Sequence, residues 1–212
     1  MFNNILPLFI SFIFNFDMSH SLYVLNKNLL VSNVLQGLVH CGVINLFLLH
    51  YYTTGSLLLW NFTRIYSLGF LVADSLYFYV YYKITHWRIY LVHHTIFILS
   101  WILISYLDRE IYRYFIRMLL AELSGFTLNI RSLAKIYKYE KLDLSMSLVT
   151  YILFFIFRIL NFTEMIGVTY NQKLYSFATL LIPLTIMQYY WFYLMNIKLW
   201  YYIFPKIKKH KD

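Results

Sequence analysis

Residues 89–107 read IYLVHHTIFILSWILISYL, nineteen residues without a single Asp, Glu, Lys or Arg. A stretch this long and apolar reads as a helix crossing a bilayer, because about 20 residues rising 1.5 Å each cover the roughly 30 Å hydrocarbon core. Working outward, comparable windows fall near 2–16, 29–50, 64–82, 112–133, 144–162 and 174–203. They lack the polar–apolar alternation of a half-buried strand, and an open sheet would leave backbone groups unpaired in lipid, so the spans are expected to be helices. The 212-residue chain is 61% hydrophobic and only 13% charged, whereas a soluble domain needs about a quarter of its residues charged. A soluble enzyme with a single anchor is therefore excluded. The expected fold class is all-α, a polytopic transmembrane helical bundle of six to seven spans.

The net charge of +9 speaks to orientation before nucleic acid, which is not expected as a partner. The tail bearing Lys206, Lys208, Lys209 and Lys211 is assigned to the cytosol by the positive-inside rule. Counting spans backward puts the loop with Lys135, Lys138 and Lys141, and the turn with Lys83 and Arg88, on the same side. The turns around Thr54, Asp108 and Thr169 then face the lumen, with Arg109 a mild dissent. Sequons at Asn61-Phe62-Thr63 and Asn161-Phe162-Thr163 lie near that face, too close to the membrane for modification. The first window is short and carries Pro7, so residues 1–29 are read as a short span or interfacial segment, 30–203 as the transmembrane domain and 204–212 as a basic tail. The tail is also close to a dilysine retrieval signal, although His210 stands where such signals carry lysine. One cysteine, Cys41, precludes an intrachain disulfide and a thiolate zinc site.

Ionisable groups at bilayer depth are costly, so each one inside a span is a site candidate. Asn33, Gln36 and His40 share one face of the second span, and Ser67, Asp74 and Tyr77 one face of the third. The fourth span holds His93 and His94, the fifth Arg117, Glu122, Asn129 and Arg131, and the sixth Arg158. Glu122 and Asn129 flank Gly125 on one stripe, which lets either another helix or a lipid headgroup approach the carboxylate. For Asp74 and Glu122 the candidate partners are Arg117, Arg131 and Arg158, or a histidine. His93 and His94 stand about 100° apart on a helix, so they cannot share one target, yet either could reach Asp74. A histidine backed by a carboxylate is equipped as a general base or as an acyl-accepting nucleophile, and equally as a hydrogen-bonded structural pair. No metal site is expected, since His40, His93 and His94 form no repeated ligand cluster. Lys198 is not read as a Schiff-base lysine, because it sits toward the cytosolic end of the last span, where a lysine snorkels.

These residues resemble the TLC-domain family, which includes the ceramide synthases and the translocating-chain-associated membrane protein. The resemblance runs from about residue 30 to 203. It rests on Ser67-Leu68-Gly69-Phe70-Leu71-Val72-Ala73-Asp74, on His93-His94 after a basic turn, and on Leu119-Leu120-Ala121-Glu122-Leu123-Ser124-Gly125-Phe126 followed by Asn129 and Arg131. The Glu-x-Ser and Asn-x-Arg spacing looks most like the small branch typified by TLC domain-containing protein 4. His40 fits the family as well. The resemblance implies a bundle in the endoplasmic reticulum or a related endomembrane, enclosing a polar chamber that handles a lipid. Where ceramide synthases carry a second His-Asp and a further Asp, this chain has Leu120-Ala121-Glu122-Leu123-Ser124, with a single acid.

Two functions follow as expectations. The first is a protein of lipid homeostasis that binds or senses a membrane lipid, sphingolipids included, through His40, Glu122, Ser124, Asn129 and Arg131, with no cofactor required. The second is an N- or O-acyltransferase of the ceramide-synthase kind, with acyl-CoA as co-substrate. There His93 or His94 would act with Asp74, while Lys135, Lys138 and Arg131 meet the CoA phosphates. A transporter or cargo receptor, for which Pro183 is the only mid-span proline of the later helices, ranks third.

Overall fold

A computed structural model describes residues 5–81, 87–104 and 109–203. Lys83, Asp108 and the tail lysines, with the side chains of Arg88, Arg109 and Glu110, lie outside the described residues. The described residues form helices and short turns, and no strand occurs among them. In chain order the helices are α1 (Ile5–Asn26), α2 (Leu29–Thr54), α3 (Trp60–Tyr81), α4 (Trp87–Ile104), α5 (Arg109–Leu119), α6 (Ala121–Ile136) and α7 (Glu140–Phe154). A π-helical turn (Phe155–Leu160) joins α7 to α8 (Asn161–Asn171), and α9 (Tyr175–Ile203) closes the chain. Among the described residues four stretches are long and apolar enough to cross a membrane: Leu6–Leu25, Leu30–Thr54, Glu140–Asn171 and Tyr175–Trp200. The all-α membrane bundle expected from the sequence is the observed fold.

The first helix differs from its window of 2–16, extending to Asn26 with an apolar stretch of 20 residues. Its polar residues are absorbed by packing. Asn15 donates to the Ser11 carbonyl at 2.8 Å and Ser19 to the Asn15 carbonyl at 2.8 Å, both buried. Gln36 of α2 adds a bond to the Asn15 carbonyl at 3.3 Å. A hydropathy window counts Asn15 and Ser19 as water-seeking, although each donates to a carbonyl one turn back. The window at 112–133 is broken at Leu120, where tighter i→i+3 bonds from Leu120 to Arg117 and from Leu123 to Leu120 separate α5 from α6. The window at 144–162 is the middle of one continuous rod from 140 to 171. Thr169, expected in a lumenal turn, is buried inside α8, and the chain reverses at Lys173, whose φ is 63°.

The rods close into a ring. α2 packs on α6, α6 on α7 and the π-helical turn, that turn on α9, α9 on α4, α4 on α3, and α3 on α2. α1 lies against α2 and α3, with Leu6, Phe9, Ile10 and Phe14 exposed. Where α2 ends, α3 begins and α4 ends, an aromatic plug fills the ring. Trp101 stands 4.2 Å from Phe115 and 5.5 Å from Trp60 between ring centroids, with Phe47 6.0 Å from Trp60. All four are buried. The opposite end of the rods carries Lys27, Lys135, Lys138 and Lys141, and the buried His40, Asp74 and His94 lie between that basic end and the plug.

α1 and α3 meet at Gly69, where a Cβ would come within 2.8 Å of the Ser11 carbonyl carbon. Gly69→Leu should therefore cost about 1–3 kcal/mol through overpacking, seen as a lower thermal midpoint of the detergent-solubilised protein. An unchanged midpoint would mean that α1 is not seated on α3 as described.

Candidate functional site

Two polar clusters face the interior of the ring. In the first, His94 of α4 reaches α3: its Nε2 is 3.6 Å from Asp74 Oδ2 and its Nδ1 is 3.2 Å from Ser75 Oγ. The Ser75 hydroxyl donates its one proton to the Leu71 carbonyl at 2.6 Å, so toward His94 it can only accept. His94 Nδ1 therefore carries a hydrogen. Nε2 and Asp74 Oδ2 face each other at ion-pair distance. Asp74 and His94 are both buried.

His93 turns the other way, as its 100° offset requires. Its ring stands edge-on to Phe97 at 4.7 Å and to Trp191 of α9 at 5.2 Å, and its Nδ1 has no hydrogen-bond partner among the described residues. The His94 branch of the expectation thus meets Asp74, while His93 belongs to the α4–α9 wall.

The second cluster is built around Arg158 in the π-helical turn. The wider i→i+5 spacing shifts the helix register where this side chain emerges, a common arrangement at functional sites. Arg158 Nε donates to Ser124 Oγ at 2.7 Å and to the Ala121 carbonyl at 3.3 Å, and Nη1 donates to Gln188 Oε1 of α9 at 3.2 Å. The guanidinium carbon also lies 5.2 Å from the centre of the Phe154 ring, a cation–π contact. Ser124 is thereby a ligand of Arg158, buried at the heart of the ring.

Glu122 and Asn129 both lean on α2. The Cys41 thiol donates to Glu122 Oε2 at 3.1 Å, and Asn129 Nδ2 is 3.8 Å from the Cys41 sulfur. Gly125 makes this approach possible, since a Cβ there would stand 3.1 Å from both Cys41 Sγ and Glu122 Oε2. A second glycine repeats the device on α2, where a Cβ at Gly37 would come within 2.9 Å of Asn129 Nδ2. Of the two readings open for the Gly125 stripe, the structure fills it with a helix. This is small-residue packing at a helix crossing.

His40 links the clusters. It stacks on Phe70 at 3.7 Å with 9° between planes, and lies in electrostatic range of both His94 and Glu122. Tyr90 is likewise in range of both Arg158 and Asp74. The arginines named as partners for the buried acids divide differently. Arg117 pairs with Glu164, Arg131 pairs with Asp143 at 3.0 Å across the α6–α7 turn, and Arg158 faces the Glu122 side of Gly125. Lys135 and Lys138 are exposed at that same turn, where with Ala134, Glu140 and Asp143 they line a shallow cleft.

Ser75, Gln188 and Trp191 complete the site and escape sequence reasoning. Gln188 carries a usable signal, a polar residue in the middle of an apolar run. Ser75 and Trp191 carry none, because only the packing of α4 against α3 and α9 gives them a role.

A helical bundle whose long apolar rods close around buried ionisable side chains defines an integral membrane protein of the polytopic class. The model of one family, described as the TLC domain, matches residues 10–197, and the chain belongs to that family. The match takes in most of α1, ahead of residue 30 where the resemblance begins. No curated protein and no solved structure matches the chain.

The pairing at Asp74 makes a stability prediction. Asp74→Asn keeps a polar group facing His94 Nε2 and should stay within about 1 kcal/mol of wild type, whereas Asp74→Leu replaces it with an apolar one and should cost about 1–3 kcal/mol. Thermal unfolding in detergent reads both. Equal losses in the two variants would contradict the pairing.

Proposed function

We propose that this TLC-domain protein binds a membrane lipid inside its helical ring and serves lipid homeostasis without needing a cofactor. One observation carries the reading. Glu122, Arg158, Tyr90, Asp74, His94 and His40, drawn from five elements of the ring, lie each within electrostatic range of the next, and Asp74 and His94 pair at 3.6 Å. Evolution of a purely structural bundle gains nothing from so many ionisable groups at bilayer depth, where each is costly. The aromatic plug seals one end of the ring, so the polar interior is reached from the basic end or between helices. Under the positive-inside rule the basic end is cytosolic, as is the C-terminus, in the endoplasmic reticulum or a related endomembrane. The small branch typified by TLC domain-containing protein 4 and a sphingolipid-related ligand fit this reading.

Acyl transfer from acyl-CoA is the second reading, favoured by the unpartnered Nδ1 of His93, a nitrogen able to take a proton from an amine or hydroxyl. His94 is less suited to that step, because both of its ring nitrogens already face Ser75 and Asp74.

Purified protein incubated with labelled acyl-CoAs and with sphingoid or lysolipid acceptors separates the two. Lipid binding predicts retention of lipid through purification and no turnover above background. Turnover reduced about 10²–10⁴-fold in a His93→Ala/His94→Ala variant would overturn the binding reading and make the chain an acyltransferase.

A further inference from the structure

Three hydrogen-bonding groups lie on the wall where α4, the π-helical turn and α9 meet, and the bundle leaves each with capacity unused. Arg158 engages Nε and Nη1 with neutral oxygens, while its Nη2 stands 3.5 Å from where a Gly125 Cβ would be. Glu122 lies beside the same glycine with Oε2 turned to the Cys41 thiol, in electrostatic range of the guanidinium but not in ion-pair contact with it. Gln188 is fully buried. Its Oε1 accepts from Arg158, and a guanidinium only donates, so this bond fixes the amide orientation and leaves Nε2 as a donor. That Nε2 has no acceptor among the described residues. His93 Nδ1 is also without a partner, on a ring held between Phe97 and Trp191. Tyr90, one turn along α4, rests 6.1 Å from Trp191 and is 43% exposed, so the wall is not sealed.

We infer that this wall binds the oxyanion of an acyl lipid, with Arg158, Gln188 and His93 around the anion and the start of the chain against Phe97 and Trp191 between α4 and α9. The inference rests on the lipid-binding reading and deepens it by naming the ligand's charge. The Gln188 amide donor, His93 as its Nδ1–H tautomer and one cation at bilayer depth match an acceptor-only group, and a guanidinium suits carboxylate and phosphate geometry alike. A neutral hydroxyl or amide headgroup would leave Arg158 with Glu122 in electrostatic range but with no anion in direct contact among the described residues. A free fatty acid and a phosphatidic acid present the same chemistry from two sources.

The test is equilibrium binding of radiolabelled palmitate, phosphatidic acid and diacylglycerol to the full chain in neutral detergent micelles. At least one of the two acids should bind saturably and about tenfold or more tighter than diacylglycerol, a difference of about 1.4 kcal/mol, and the acid that does so identifies the source. Arg158→Gln should weaken that acid about tenfold or more and leave diacylglycerol unchanged. Because Arg158 also ties α6 to α9, Gln188→Leu and His93→Phe serve as second variants that keep the cation, each expected to weaken the acid several-fold. Diacylglycerol binding as tightly as the acids, or acid binding unaltered in Gln188→Leu and His93→Phe, would overturn the oxyanion site while leaving lipid binding standing. No binding of any of the three lipids to folded wild-type protein would overturn both.

Discussion

A guanidinium buried in a membrane-crossing rod is the constraint on which the rest of the bundle depends. Placing a charge at bilayer depth costs at least about 2.5–3.5 kcal/mol, and the cost is met only if the charge faces protein groups that can bond it. Arg158 meets it with Ser124 and the Ala121 carbonyl on α6 and with Gln188 on α9. Those bonds hold three neighbouring walls of the ring together. The π-helical turn sets the angle at which the side chain leaves its rod, and Gly125 lets α2 come close enough for Cys41 to cover Glu122. Were Arg158 turned toward lipid, α6 and α9 would lose their shared partner and the polar interior its lid.

The same economy divides the interior along its length. Phe47, Trp60, Trp101 and Phe115 close one end with large, mostly apolar rings. Between that plug and the basic end sit groups that need hydrogen bonds, and some of their atoms have no hydrogen-bond partner among the described residues: His40 Nδ1, Asp74 Oδ1, His93 Nδ1 and Gln188 Nε2. Buried polar atoms are nearly always paired in folded proteins. Under the lipid-binding reading, these four atoms, on four different helices, are ones that a bound headgroup would satisfy.

Much of the fold was legible because hydrophobic length is a one-dimensional property. The windows at 29–50, 89–107 and 174–203 correspond to α2, α4 and α9 with small shifts at their ends. The errors fall where packing rather than composition decides. Asn15 and Ser19 lower the local hydropathy but bond to their own helix, so α1 runs ten residues past its window. The site divides in the same way. His94 with Asp74 was readable from residue type and the order of adjacent spans. The pairing of Arg131 with Asp143 and of Arg117 with Glu164 was not, since a sequence does not say which face of a helix meets which neighbour. Membership of the TLC-domain family, carried by short motifs around Asp74, His93-His94 and Glu122, is shown by a match that spans nearly the whole chain.

The central claim is that a lipid enters the ring rather than coating it. Photocrosslinking from membranes fed a lipid that bears a diazirine in its acyl chain, followed by peptide mapping, tests this directly. The account predicts adducts on inward-facing positions of α4 and α9 near His93, Gln188 and Trp191, competed away by excess unlabelled lipid. Adducts confined to the exposed faces, such as Leu6, Phe9 and Ile10 of α1, and insensitive to competition, would contradict it.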